Sequence, residues 1–258
     1  SGEPLDQASG DDPSADAESQ TDDLAGAVDQ RLPRYGRAIF NKTVSTFAPT
    51  DDAPIPSDYR LGVGDQLVVQ LFGKENAEYA LVVGRDGSVN FPKLGGFTLA
   101  GMTFEDAKPL IETRVSQQLI GVDSSITLGR LRAINIFMSG EVSVPGAYSV
   151  SALATVSQAL FQAGGVNAIG SLRDIQVRRA GEVVSRFDVY DLLMRGDVAD
   201  DVRLQSGDVI FVPTVTSVVE IRGEVRRPMA YELKGDESLS DLITMSGGFT
   251  KDAFASLA

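Results

Sequence analysis

Apolar and polar positions along this chain fall into a readable order of strands and helices. Leu67-Val-Val-Gln-Leu-Phe72 predicts a strand. Leu81–Val83 and Ser88–Phe91 flank Gly84-Arg-Asp-Gly87, which predicts a hairpin. Thr103-Phe-Glu-Asp106 resembles a capping box with Asp in place of Glu, and Phe104, Ala107, Ile111, Val115 and Leu119 recur at helical spacing. Pro109 falls inside that pattern, so the helix is expected to kink there or to begin its regular part there. Ser124–Leu131 alternates again and reads as a strand.

A second unit begins near Ala133. Ile134–Met138 is a strand, and Val144-Pro145-Gly146-Ala147 has the residues of a type II turn. Thr155-Val-Ser-Gln158 caps a helix that should stop at Gly164-Gly165. Ile175–Arg179, Ala180-Gly181 and Val183–Val189 form a hairpin pattern. Asp188–Arg195 predicts a short helix with Gly196 beyond it, and Leu204–Pro213 supplies a closing strand. Hairpin, helix, strand pair, short helix and last strand is the order of a β-grasp fold, a mixed sheet with one helix across it. The fold class expected is therefore α+β.

Part of this unit occurs twice. Gly140-Glu-Val-Ser-Val-Pro145-Gly-Ala-Tyr148 returns as Gly223-Glu-Val-Arg-Arg-Pro228-Met-Ala-Tyr231. Thr155 then matches Ser238, Gln158 matches Asp241, and Gly164-Gly165 matches Gly247-Gly248, every pair 83 positions apart. That period suits a small domain rather than a solenoid unit. Met229 stands where the first copy has Gly146, so the second turn is expected to differ. After Gly248 only ten residues remain, without counterparts of the Ile175 hairpin or the Ile210 strand. The second copy is expected to be partial, cut from a longer protein, and to expose Val225, Leu239, Leu242 and Ile243. The divisions expected are an acidic tail at 1–30 without fixed structure, a connector at 31–57, a first domain at 58–132, a β-grasp module at 133–215 and a partial one at 216–258. In the connector, Leu32–Gly36 and Phe40–Phe47 carry apolar surface fit to pack on a neighbour, and Ala48–Pro56 reads as extended. A smaller echo links Gly64-Asp65 to Gly207-Asp208, each before an apolar run. Both are read as turn residues capping local N–H groups.

Composition narrows the chemistry. There is no Cys and no His among 258 residues. Thiolate metal sites, Ser-His-Asp and Cys-His nucleophiles are thereby excluded. The net charge is −13, but residues 1–30 carry nine acids and no base, leaving 27 acids against 23 bases elsewhere. Nothing resembles a basic nucleic-acid footprint. No apolar run approaches the ~18 residues that span a bilayer. Acids are plentiful, yet they lie in turns and caps, and no spacing singles out a glycosidase pair.

The combined pattern resembles the outer-membrane polysaccharide export family. Tyr59-Arg-Leu-Gly-Val-Gly-Asp65 with Leu67–Phe72, then Gly87–Pro92, Gly95, Gly101, Thr103 and the helix, looks like its export domain. The repeated Gly-Glu-Val-x-x-Pro-x-x-Tyr unit, with its helix and Gly-Gly, looks like the soluble-ligand-binding β-grasp domains that follow. The resemblance covers about residues 58–258. It implies a non-enzymatic periplasmic protein associated with the outer membrane, forming rings with other copies of itself. It also implies polysaccharide as cargo, an inner-membrane copolymerase and kinase as partners, no cofactor and no nucleic acid.

No catalytic or metal-ligating residue is assigned. For sugar contact the candidates are Tyr79, Tyr190, Phe91, Phe97 and the Arg178-Arg179 pair. Arg226-Arg227 is a second basic pair, and both pairs also suit strand charges that discourage edge pairing. Gly140, Pro145, Tyr148, Gly223, Pro228 and Tyr231 are assigned to the repeated turn rather than to a ligand.

Overall fold

The computed structural model describes residues 31–40 and 55–253. The acidic tail, most of the connector and the last five residues lie outside them. The elements are α+β throughout.

The first unit contains β1 (Gln66–Gly73), β2 (Ala77–Val82), β3 (Ser88–Phe91), β4 (Gly95–Thr98), α1 (Phe104–Gln118) and β5 (Val122–Leu128). Its main sheet runs β2-β1-β5, all antiparallel. Alternate β1 residues Leu67, Val69 and Leu71 are buried, as a strand with one covered face requires. The expected hairpin at Gly84–Gly87 is only half present. The tight turn forms, with Gly84 N–H on the Ser88 carbonyl at 2.7 Å, but the strands either side diverge. β2 pairs back onto β1, whereas β3 pairs with β4. Leu81 and Val83 are both buried, which commits β2 to the main sheet's register with β1.

Helix α1 starts where Thr103 caps the Asp106 N–H and buries Ala107, Ile111 and Val115. It continues without a break through Pro109, which sits exposed and costs the helix one bond to the Glu105 carbonyl.

The second unit is a five-stranded sheet in the order β7-β6-β10-β8-β9. β6 (Ala133–Gly140) and β7 (Gly146–Ser151) form one hairpin, β8 (Ile175–Arg179) and β9 (Glu182–Phe187) another. The β8–β9 turn has positive φ at both Ala180 and Gly181, as a two-residue hairpin turn of the primed type demands. β10 (Val209–Val212) lies between the hairpins, parallel to β6 and antiparallel to β8. Helix α2 (Val156–Gln162) turns Val156, Ala159 and Leu160 into the core, and α3 (Val189–Arg195) is capped by Asp188 and ended by Gly196 at φ +68°.

The third unit repeats the first half of the second: β11 (Val218–Ile221), β12 (Met229–Glu232) and α4 (Leu239–Met245). The correspondence holds bond by bond. Ser143 N–H reaches the Gly165 carbonyl at 2.8 Å, and Arg226 N–H reaches that of Gly248 at 3.0 Å. Val142 bridges Val166 as Val225 bridges Phe249. Tyr148 donates its hydroxyl to the Val144 carbonyl at 2.6 Å, Tyr231 to that of Arg227 at 2.9 Å. The helices carry equivalent capping boxes, Thr155 with Gln158 and Ser238 with Asp241.

The turn itself differs from expectation. The tyrosine hydroxyl takes the Val144 carbonyl, and Gly146 (φ +152°) is already in β7 opposite Met138. Met229 holds the same register opposite Ile221, so the substitution does not change the ladder. Exposure also differs. Leu239 is exposed, but Val225 and Leu242 are buried and Ile243 is half-buried.

Residues 32–40 form a strap that joins the two copies. Tyr35 N–H donates to the Ala230 carbonyl at 2.9 Å, and Ala230 N–H to that of Pro33 at 3.1 Å, so the strap adds to the outer edge of β12. Its far end lays Phe40 against Phe161 (ring centroids 5.2 Å apart) and over Gly165. A Cβ at Gly165 would sit 2.1 Å from a Phe40 ring atom, whereas one at the equivalent Gly248 would meet nothing within 4 Å. Both glycines have positive φ, so alanine costs about 1–2 kcal/mol at either. We expect Gly165→Ala to lose more than Gly248→Ala, the excess measuring the strap contact. Denaturant unfolding of the two variants checks this, and equal losses would show the strap is not held there.

Candidate functional site

The seam between the two copies concentrates the buried polar groups. It is built on β12, where Ala230, Tyr231 and Glu232 are all buried, although the equivalent Ala147 and Ser149 of β7 are exposed and Tyr148 is half-buried. The strap and the first copy cover them. Tyr35 stacks on Tyr231 (5.3 Å, 22°) and meets Tyr190 edge-on (5.1 Å, 85°), while the Arg227 guanidinium lies 5.3 Å over the Tyr35 ring. Three tyrosines and a cation thus fasten strap, α3 and β12 together.

Beside them, the Glu232 carboxylate accepts the Ser171 hydroxyl and the Leu172 N–H (2.8 Å), and the Glu232 N–H donates to the Tyr190 hydroxyl at 2.9 Å. Arg34 donates to the Gly170 carbonyl at 2.5 Å and has its charge near Glu232. Burial still holds its pKa below the ordinary value. Burial also raises the Tyr190 phenol. Arg173, itself buried, donates to Asp188 (3.2 Å), to Glu237 (2.5 Å) and to the Glu232 carbonyl (3.0 Å). Burial opposes its charge, but Asp188 and Glu237 outweigh that and raise its pKa. Burial likewise opposes ionisation of Glu237, yet the Arg173 hydrogen bond keeps that carboxyl below its usual range. Lys234 reaches Asp188 at 2.8 Å.

A cleft of about 360 Å³ opens along this seam, lined by Ser171, Arg173, Arg186, Thr214, Thr216 and Lys234 among others. Its cations are already paired, Arg186 with Asp174 and the others as above. The arrangement suits hydrogen bonding and shape fixing.

The Gly-Asp echo is one device used twice. Asp65 is fully buried and accepts from Gly62 N–H (2.8 Å), Tyr59 hydroxyl (2.7 Å), Arg132 N–H (2.8 Å) and the Arg132 guanidinium (2.5 Å). Asp208, equally buried, accepts from Gln205 N–H (2.7 Å) and takes both Nε and Nη2 of Arg179 at 2.8 Å. In each case the carboxylate closes the turn three residues back and anchors an arginine from a distant segment. Local capping was legible in the sequence; the arginines were not.

The candidate sugar residues are scattered. Arg179 is committed to Asp208, and its pKa is raised by that hydrogen bond. Arg178 lies 4.8 Å over the Phe211 ring and bonds Gln176. Tyr190 is buried in the seam, so it has no face free for a sugar. Phe91 and Phe97 are core residues, and Tyr79 packs on Phe91 at 5.1 Å. Arg226 is exposed, while Arg227 caps α4 through the Met245 carbonyl. The residues that build the seam, Tyr35, Arg173 and Glu232, were not singled out. The available signal was the difference between the copies, a carboxylate at 232 where the first has Ser149.

Among the described residues no group of His, Cys, Asp or Glu is placed to hold a metal ion, and no helix is long and apolar enough to cross a membrane.

Comparison with known proteins fits this frame. Residues 53–129 match the family described as polysaccharide biosynthesis/export protein, and residues 135–212 and 218–256 each match an SLBB domain. The polysialic acid transport protein KpsD of Escherichia coli is 27% identical over 202 residues, 78% of this chain and 36% of that protein. The EPS I polysaccharide export outer membrane protein EpsA of Ralstonia solanacearum is 30% identical over 173 residues, 65% of this chain and 45% of that protein. The exopolysaccharide production protein ExoF of Rhizobium meliloti is 30% identical over 123 residues, 42% of this chain and 28% of that protein. The chain therefore spans half or less of the length of these relatives. With an export domain followed by two SLBB domains, it belongs to the polysaccharide export family.

Proposed function

We propose that this chain is a periplasmic portion of a capsule or exopolysaccharide export channel, acting as a non-catalytic scaffold and conduit at the outer membrane. The units 58–132, 133–215 and 216–258 are its export domain, a β-grasp module and part of a second. The observation that carries the reading is the tandem seam. Its buried polar groups and cleft cations are spent on holding one module to the next, as a structural segment requires. The strand order β7-β6-β10-β8, with its central parallel pair, supports the β-grasp assignment. The relatives' names support export and the outer membrane. Polysaccharide, an inner-membrane copolymerase and kinase, and further copies in a ring are the partners this role calls for.

The test is deletion of the gene in its own host. Surface polysaccharide should disappear while polymer synthesis continues, and the wild-type gene should restore it. Unchanged surface polymer would contradict the role. The second reading, a carbohydrate-binding module without transport, is favoured only by the seam cleft. It predicts saturable heat on titration with oligosaccharide and normal export in the deletion strain.

A further inference from the structure

The strap docks past its nearest neighbour in the chain. It precedes the export domain, yet its described bonds and ring contacts run to the two β-grasp copies. Leu32 N–H reaches the Glu220 carboxylate at 3.3 Å, Arg34 reaches Gly170, and Pro33 and Tyr35 pair with Ala230. The Tyr35 ring lies among Tyr190, Tyr231 and Arg227, and Phe40 meets Phe161. Residues 32–40 thus carry everything the groove recognises, a short parallel strand with an aromatic anchor toward each end.

Residues 41–54 join Phe40 to Ile55. A chain of that length reaches up to about 50 Å, further than the ~30 Å width of a small domain. The strap can therefore enter its own groove or that of an adjoining copy, with the same bonds in either. Nor is it locked in place. Arg34 Nε and Nη1 are buried without a hydrogen bond, a desolvation cost that undocking relieves.

We propose that the groove over β12 and Gly165 is a socket for the strap of a second copy of this chain, and that exchanged straps link successive copies. This rests on the ring reading above. A strap passed from each copy to the next is a head-to-tail contact, the kind that closes into a ring. An isolated chain fills its own groove because the tether keeps its own strap at high effective concentration. Copies held side by side remove that advantage.

The test uses the chain's lack of cysteine. Phe40→Cys and Phe161→Cys are made in separate chains, incubated together at high concentration and treated with a short bismaleimide. Covalent heterodimer should form at about ten times the yield given when the Phe40→Cys chain also carries Tyr35→Asp, which undocks the strap. Sedimentation of the same mixture measures association separately. No cross-link, with or without association, overturns the proposal, and association without it leaves the ring reading intact. Should circular dichroism show either cysteine variant misfolded, a labelled peptide of residues 31–40 is titrated onto the Tyr35→Asp chain instead. Saturable binding, lost when the peptide carries the same change, supports the socket, and no binding overturns it.

Discussion

Arg179→Ala is expected to destabilise the chain by about 3 kcal/mol, far more than Arg178→Ala beside it. Arg179 is the bidentate partner of Asp208, whose carboxylate is fully buried. Removing one member of such a pair strands a charge in low dielectric and typically costs about 3–5 kcal/mol. The lower end applies here because the Arg179 side chain is 34% exposed, so water can enter where it stood. The Gln205 N–H still satisfies part of the carboxylate. Asp208→Asn added to Arg179→Ala should recover part of the loss by discharging the stranded group. Urea unfolding of the three variants measures this. Should Arg179→Ala unfold like wild type while weakening polymer binding, the arginine is a ligand residue after all.

The second large effect is expected at Glu232. Alanine there removes the acceptor of the Ser171 hydroxyl and the Leu172 N–H and takes a neighbouring carboxylate from half-buried Arg34. Unsatisfied buried donors cost about 1–3 kcal/mol each, so the two together are expected to cost about 2–6 kcal/mol. The loss should fall on the seam rather than on either core. Denaturation followed by separate probes in the two copies should split into two transitions, with the third unit melting first. A single shifted transition would mean that Glu232 supports one core instead of joining two.

These residues also mark where sequence reading stops. The duplication was legible because turns, caps and glycines have local causes. Tyr148 and Tyr231, Thr155 and Ser238, Gly165 and Gly248 each do in one copy what they do in the other. The succession of strands and helices along the first repeat followed from hydrophobic alternation for the same reason. The β2–β3 pairing was misread because a tight turn fixes local geometry but not which sheet each arm joins. The Gly95–Thr98 strand carries two glycines and has little strand signal of its own.

Arg178 and Arg179 were read as a pair, yet consecutive strand residues face opposite ways. One lies over Phe211 and the other on Asp208. The seam was hidden because its members come from the strap, the loop after α2, β12 and the residues beyond it. No spacing links Tyr35, Arg173 and Glu232 along the chain.

That seam is also what turns two small modules into a frame, and its rigidity can be measured directly. The chain contains no cysteine, so a single spin-label pair can be placed without background. With one label at exposed Arg195 and one at exposed Lys251, pulsed electron resonance reports the distance between the two copies. One narrow distance distribution in the wild-type chain, broadened by Glu232→Ala, is the predicted result. A broad distribution in the wild-type chain would show the copies swinging independently and contradict the account.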